Sequence, residues 1–114
     1  MALTEHEKTA EFYYHGTNRF YYEQQMKKHG KYVHDGKNYL PTGEVFVSTN
    51  LGVAEGYARA RTDRWFRFPI DPIVLKIYGD KVRERVCERH GISDISIDFL
   101  VEGEFEVLDI KPKA

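Results

Sequence analysis

Apolar residues in this chain fall into short blocks cut by glycine, proline and charged clusters, and the period of each block predicts an element. FYYH, residues 12–15, is aromatic and favours extended chain, which predicts a short strand stopped by Gly16. Asn18 then stands as an N-cap for a helix from about Arg19 to His29, closed by Gly30. GKYVHDGKNYLPTG, residues 30–43, carries three glycines and a proline and predicts an exposed loop. EVFVS, 44–48, reads as a buried strand, and Asn50 caps a helix that shows Val53, Tyr57 and Ala60 at helical spacing. That helix gives way near Arg64 to WFRFPIDP, whose prolines enforce extended or turn structure. IVLKIY, 73–78, is the cleanest strand, and Asp80 after it caps a charged helix over 81–90 that Gly91 ends. SIDFLVEGEFEVLDI, 96–110, predicts two strands of alternating apolar residues folded as a hairpin about Glu102-Gly103. The order of elements is that of a mixed α+β domain.

Length and composition narrow the class. A chain of 114 residues can bury one real core, so residues 1–114 are expected to form one domain with a polar, frayed lead-in over 1–10. A net charge of −1 provides no global field toward nucleic acid or membrane, and no apolar run approaches the roughly 20 residues of a membrane span. MALTEHEKTAE is polar and acidic, the wrong chemistry for a signal peptide. The single cysteine, Cys87, rules out an internal disulfide and fits a reducing compartment, so the expected location is cytoplasmic. Cys87 and His90 stand at a ligand-like spacing, but a structural zinc site takes four ligands. His29 and His34 fall in the loop region, and no metal is expected.

The aromatic content, 14% with eight tyrosines and seven phenylalanines, departs from average, and many of these rings are expected in the core. Tyrosine, with a flat apolar face and a polar tip, also suits a site that stacks a ring. YHGT at 14–17 ends a strand on a hydrogen-bonding ring and a bare patch of backbone. Further on, EVFVSTNLGVAEGYARA, 44–60, is a strand ending in Ser48-Thr49 followed by a helix that carries Tyr57. His-Gly-Thr, then a strand ending in Ser-Thr, then a helix with Ala-x-Gly-Tyr resembles the layout of the ADP-ribosyltransferase superfamily. That family includes the catalytic domain of diphtheria toxin, the poly(ADP-ribose) polymerases and the rifampin ADP-ribosyltransferases. The resemblance spans roughly residues 12–110 and rests on the order and spacing of short motifs. It implies a split antiparallel β-sandwich with flanking helices.

The resemblance further implies that NAD is the substrate and that its nicotinamide–ribose bond is broken through a transition state like an oxocarbenium ion. Such chemistry needs the pyridine ring held by its face and carboxamide, the riboses oriented, and an anion near the developing charge. On this analogy Gly16 offers backbone groups to the carboxamide, His15 bonds a ribose hydroxyl of the adenosine half, and Tyr57 stacks on the nicotinamide. Phe46 is the aromatic facing it, with Val47 the choice if the strand is matched one residue differently. Thr17 and Ser48 are supporting hydrogen-bonders. The acid stands in the family at the head of a late strand, which selects Asp98, where most relatives carry glutamate. A competing register selects Glu106 as catalytic with Glu104 activating the acceptor, and Glu102 with Glu104 forms a third pair. Residues two apart on a strand share a face, so each pairing is geometrically allowed.

Arg59, Arg61, Arg64 and Arg67 are interleaved with Trp65, Phe66 and Phe68. Guanidinium suits the NAD diphosphate, with Arg61 the choice here, and the same mixture suits a nucleic-acid acceptor. The expected function is therefore a compact mono-ADP-ribosyltransferase, of toxin or effector type by family analogy, that releases nicotinamide and passes ADP-ribose to a macromolecule or small molecule. The alternatives are an NAD glycohydrolase, an RNA 2′-phosphotransferase, and a non-catalytic module that binds NAD, ADP-ribose or nucleic acid. All the catalytic readings require His15 and Tyr57 to share one cavity.

Overall fold

The computed structural model describes residues 2–23, 31–32, 45–65, 72–91, 94–98, 100–101 and 103–110, with backbone alone at 20–21, 31–32 and 61–65. Among these, a short helix α1 (Glu5–Lys8) precedes strand β1 (Phe12–Asn18) and the turn of helix α2 (Arg19–Tyr22). Strands β2 (Lys31–Tyr32) and β3 (Val45–Val47) lead to the long helix α3 (Leu51–Trp65). Strand β4 (Pro72–Tyr78) and a short helix α4 (Gly79–Val82) follow, then β5 (Val86–His90), β6 (Asp94–Ile97), β7 (Leu100–Val101) and β8 (Phe105–Asp109). The result is an α+β domain of antiparallel sheets with few helices, as its residue pattern predicts.

Two three-stranded sheets face each other. One has the order β1-β4-β8 and the other β3-β6-β5, while β2 and β7 form a separate pair. Alternate residues of the first sheet, Tyr13, Ile73, Leu75, Ile77 and Phe105, share one core cluster with Val45, Val47, Ile95 and Ile97 of the second. The other face of the first sheet is covered by α3, where Ala54 and Ala58 pack on Val74. With both faces covered, the central strand β4 reads as a continuous apolar run and Ile73, Val74 and Leu75 are wholly buried. The sheets are stitched at one edge: the Tyr14 amide donates to the Ser48 carbonyl at 2.7 Å, and the Ser48 amide returns to Tyr14 at 2.9 Å.

β1 does not stop at Gly16; it pairs with β4 as far as Asn18↔Pro72. The glycine serves the helix above it. A Cβ on Gly16 would lie 1.9 Å from the Ala54 carbonyl oxygen and 2.8 Å from the Ala58 amide nitrogen. The backbones of β1 and α3 therefore approach to a distance that no side chain permits. Asn50 starts that helix as its sequence predicts, its Oδ1 accepting from the Val53 amide at 3.2 Å.

Three further expectations are corrected. The lead-in is docked: Thr4 and Glu7 form a capping box, and the buried Glu7 carboxylate meets Arg89 at 3.3 Å. Residues 81–90 are not one helix. Their good helix formers hold only the turn of α4 and a 3-10 turn at Arg83–Arg85 before β5 pairs with β6 through a turn at Gly91, φ 68°. Being an edge strand with an irregular register, β5 tolerates the charges that disguise it. The segment about Gly103 does turn, with φ 97°, but its arms part: β7 pairs with β2 and β8 with β4.

Gly16→Ala is expected to lower unfolding stability by more than about 2 kcal/mol, because a backbone carbonyl cannot yield as a side chain would. Chemical denaturation followed by circular dichroism measures it, and a wild-type midpoint would refute the close-approach account.

Candidate functional site

The stitched edge between the sheets opens into a cavity of about 80 Å³. β1 contributes Tyr14, His15 and Gly16 to its walls, and β3 contributes Phe46, Val47 and Ser48. Ala54 and Tyr57 come from α3, and Asp94 comes from the head of β6. The enclosed space is on the scale of a single aromatic ring, with the half-exposed Tyr57 at its rim.

Each polar group is held by its element. His15 is 1% exposed and its Nδ1 donates to the Phe46 carbonyl at 2.6 Å. A carbonyl can only accept, so that bond assigns a hydrogen to Nδ1. Ser48 is buried at the end of β3, and its Oγ accepts from the Asn50 amide at 3.0 Å, which shapes the entry to α3. The Tyr57 hydroxyl lies 3.4 Å from Asp94 Oδ2, joining helix to strand across the cavity mouth. Phe46 meets the edge of the His90 ring at a centroid distance of 5.2 Å.

Five residues expected from the motifs, His15, Gly16, Phe46, Ser48 and Tyr57, thus line one cavity, and Val47 lines it as well. Thr17 does not. It is wholly buried one residue beyond Gly16, and its hydroxyl has no partner among the described residues. Arg61 lies on α3 with its side chain outside the described residues, as do those of Arg64 and Trp65; Phe66, Arg67 and Phe68 lie outside them altogether. Arg59 pairs with Glu55 at 3.5 Å.

The three candidate acids do not line the cavity. Asp98 is exposed at the other end of β6, its amide bonded to the Arg85 carbonyl, and four residues of strand put it about 13 Å from Asp94. Glu104 is bound into the fold: Arg85 grips both of its carboxylate oxygens, and the Val101 amide donates to Oε1 at 2.8 Å. Glu106 is exposed on β8 opposite Lys76, at 3.8 Å from that ammonium. Partial burial, then the charge of Glu106, raises the Tyr78 phenol above its usual range. Glu102 lies outside the described residues.

Asp94 escapes a reading of the sequence for an identifiable reason. An acid heading a late strand describes Asp94-Ile-Ser-Ile as well as it describes Asp98. Treating 81–90 as a helix removes β5, the partner that makes residues 94–97 a strand. Gly91, between two segments of four or five residues, is the available signal.

Among the described residues no group of three or more His, Cys, Asp or Glu side chains converges to hold a metal ion, and no helix is long and apolar enough to cross a membrane. His29 and His34 lie outside those residues.

No protein-family model matches the chain, and comparison with curated proteins finds no match. Two solved structures are similar in fold, protein CC0527 from Caulobacter crescentus and a double mutant of it. Each is 18% identical over 90% of this chain and 89% of the other, with a TM-score of 0.59. At that identity the likeness is one of fold.

Glu104→Ala is expected to cost about 1–3 kcal/mol, since it strands a half-buried guanidinium and an amide. Thermal unfolding measures this; equal melting temperatures for variant and wild type would return Glu104 to the list of candidate acids.

Proposed function

We propose that this chain is an ADP-ribosyltransferase-like domain that binds NAD at the cavity between the two sheets and breaks its nicotinamide–ribose bond. The observation that carries the reading is the meeting of His15, Gly16, Phe46 and Tyr57 with a carboxylate, Asp94, around a ring-sized space. Two aromatics, an imidazole and an acid from four separate elements line this one opening.

In this reading the nicotinamide ring enters between Phe46 and Tyr57. His15, held by its bond to the Phe46 carbonyl, meets a ribose hydroxyl. The acid is Asp94 rather than Asp98, because an anion stabilises developing positive charge only at short range. Phe46, Tyr57 and Asp94 come from a strand, a helix and another strand, so ring and charge are held by separate rigid elements, which favours preorganisation. Aspartate reaches one methylene less than the glutamate usual in the family, so the ribose must approach β6 closely. The paired-acid preference for arginine finds no support here, since Glu104 and Glu106 are engaged elsewhere.

The test is nicotinamide release from NAD by purified protein, with ADP-ribose followed as free product or as labelled acceptor. Asp94→Asn is expected to lower release by about 10²-fold or more, while Asp98→Asn leaves it near wild type. Tyr57→Ala should abolish turnover without unfolding the chain. Full activity in Asp94→Asn would refute the assignment. Free ADP-ribose as sole product would favour the glycohydrolase, and NAD binding without release the non-catalytic module.

A further inference from the structure

The carboxylate in the cavity wall is held by a single contact. Asp94 opens β6, half-buried, on a side chain free to turn about its single bonds. Among the described residues it forms no ion pair, and its carboxylate has one hydrogen-bond partner, the Tyr57 hydroxyl at 3.4 Å. Its cross-strand neighbour His90 gives it none: that ring's Nε2 lies 3.3 Å from Ser96 Oγ and 3.8 Å from the Glu88 carboxylate. Glu7 and Glu104, by contrast, are each fixed by an arginine and a backbone amide.

The partner comes from a different part of the fold. Tyr57 is 47% exposed at the rim of the cavity, on α3, one residue before the buried Ala58 that packs on the first sheet. Toward a carboxylate oxygen a phenol donates, so its O–H is directed at Asp94 Oδ2. That bond selects, among the staggered positions of the aspartate side chain, one that keeps the carboxylate at the opening both residues line. At 3.4 Å it has room to shorten, as hydrogen bonds of catalytic groups do when substrate pins them. A ring stacked on the half-exposed phenol supplies such a pin, because it removes the freedom of the Tyr57 side chain.

We propose that Tyr57 has two separable duties: its ring stacks on the nicotinamide, and its hydroxyl positions Asp94 beside C1′ of the ribose. The second duty rests on the NAD reading above. The bond from C1′ to the nicotinamide nitrogen breaks, its electron pair leaving with the ring, and Asp94 faces the positive charge left on the sugar. Tyr57 reaches that charge only through Asp94, so its hydroxyl is a positioning group. Filling of the cavity and placement of the acid are thereby coupled through one side chain. An anion displaced by about 1 Å from developing charge forfeits on the order of 10²-fold in rate, which sets the scale of what the hydroxyl protects.

Tyr57→Phe keeps the ring and removes only the hydroxyl. Nicotinamide release, in steady state and in single turnover with excess enzyme, is compared in wild type, Tyr57→Phe, Asp94→Asn and the double variant, with NAD affinity measured by calorimetry. Tyr57→Phe should keep the wild-type circular dichroism spectrum and NAD affinity, and lose at least about tenfold in kcat with KM unchanged. In the Asp94→Asn background the same substitution should cost nothing further, since a group that acts through the carboxylate has nothing left to place. An unchanged kcat in Tyr57→Phe overturns the positioning role and leaves the NAD reading standing. An equal loss in both backgrounds also overturns it, since a structural role or a direct contact with substrate behaves so. A loss confined to NAD affinity, with kcat preserved, overturns it as well. A wild type that releases no nicotinamide overturns the NAD reading and this proposal together.

Discussion

The contact on which the rest depends is that of α3 against β1 at Gly16, backbone on backbone. Ala54 and Ala58 keep the helix close, and the bare α-carbon of Gly16 lets its carbonyl and amide groups down onto the strand. Close approach removes freedom in two directions. It fixes the height of Tyr57, one residue before Ala58, over the sheet edge. It also holds β1 extended to Asn18, so that His15 faces inward toward β3 while Gly16 faces the helix. The cavity is the space left where β1, locked under α3, meets β3 through the two hydrogen bonds of Tyr14 and Ser48.

Glycine at position 16 therefore has a cause independent of any ligand. Its place in the cavity wall follows from the helix above it, and its substitution reports on packing before it reports on binding. The carboxylates divide similarly. Glu7 and Glu104 are tied to arginines and backbone amides and hold the N-terminal segment and the C-terminal turn in place. Glu106 balances a lysine on an open face. Asp94 differs: its partner is a tyrosine hydroxyl at a cavity mouth rather than a cation.

Much of the site was legible because local chemistry forced it. Asn50 can cap only a helix on its C-terminal side, Val45 and Val47 alternate as a half-buried strand must, and Tyr57 falls on the first turns of a helix with a defined start. The place of Asp94 in the cavity wall was not legible, because it depends on a pairing. Val86–His90 has the composition of a helix and becomes a strand only by hydrogen-bonding to β6. The supposed hairpin at Gly103 failed for a like reason: a turn signal fixes a local reversal, not which sheet each arm joins.

The sequence by itself determined the α+β class, the start of α3, the buried central strand, and an aromatic and histidine set along β1, β3 and α3. Each depends on interactions between residues near in the chain. Tertiary structure alone decided which carboxylate stands among them, that Gly16 answers to a helix, and that His90 lies beside Asp94. Those facts depend on register between strands distant in sequence, and a shift of one residue there would carry each side chain to the opposite face.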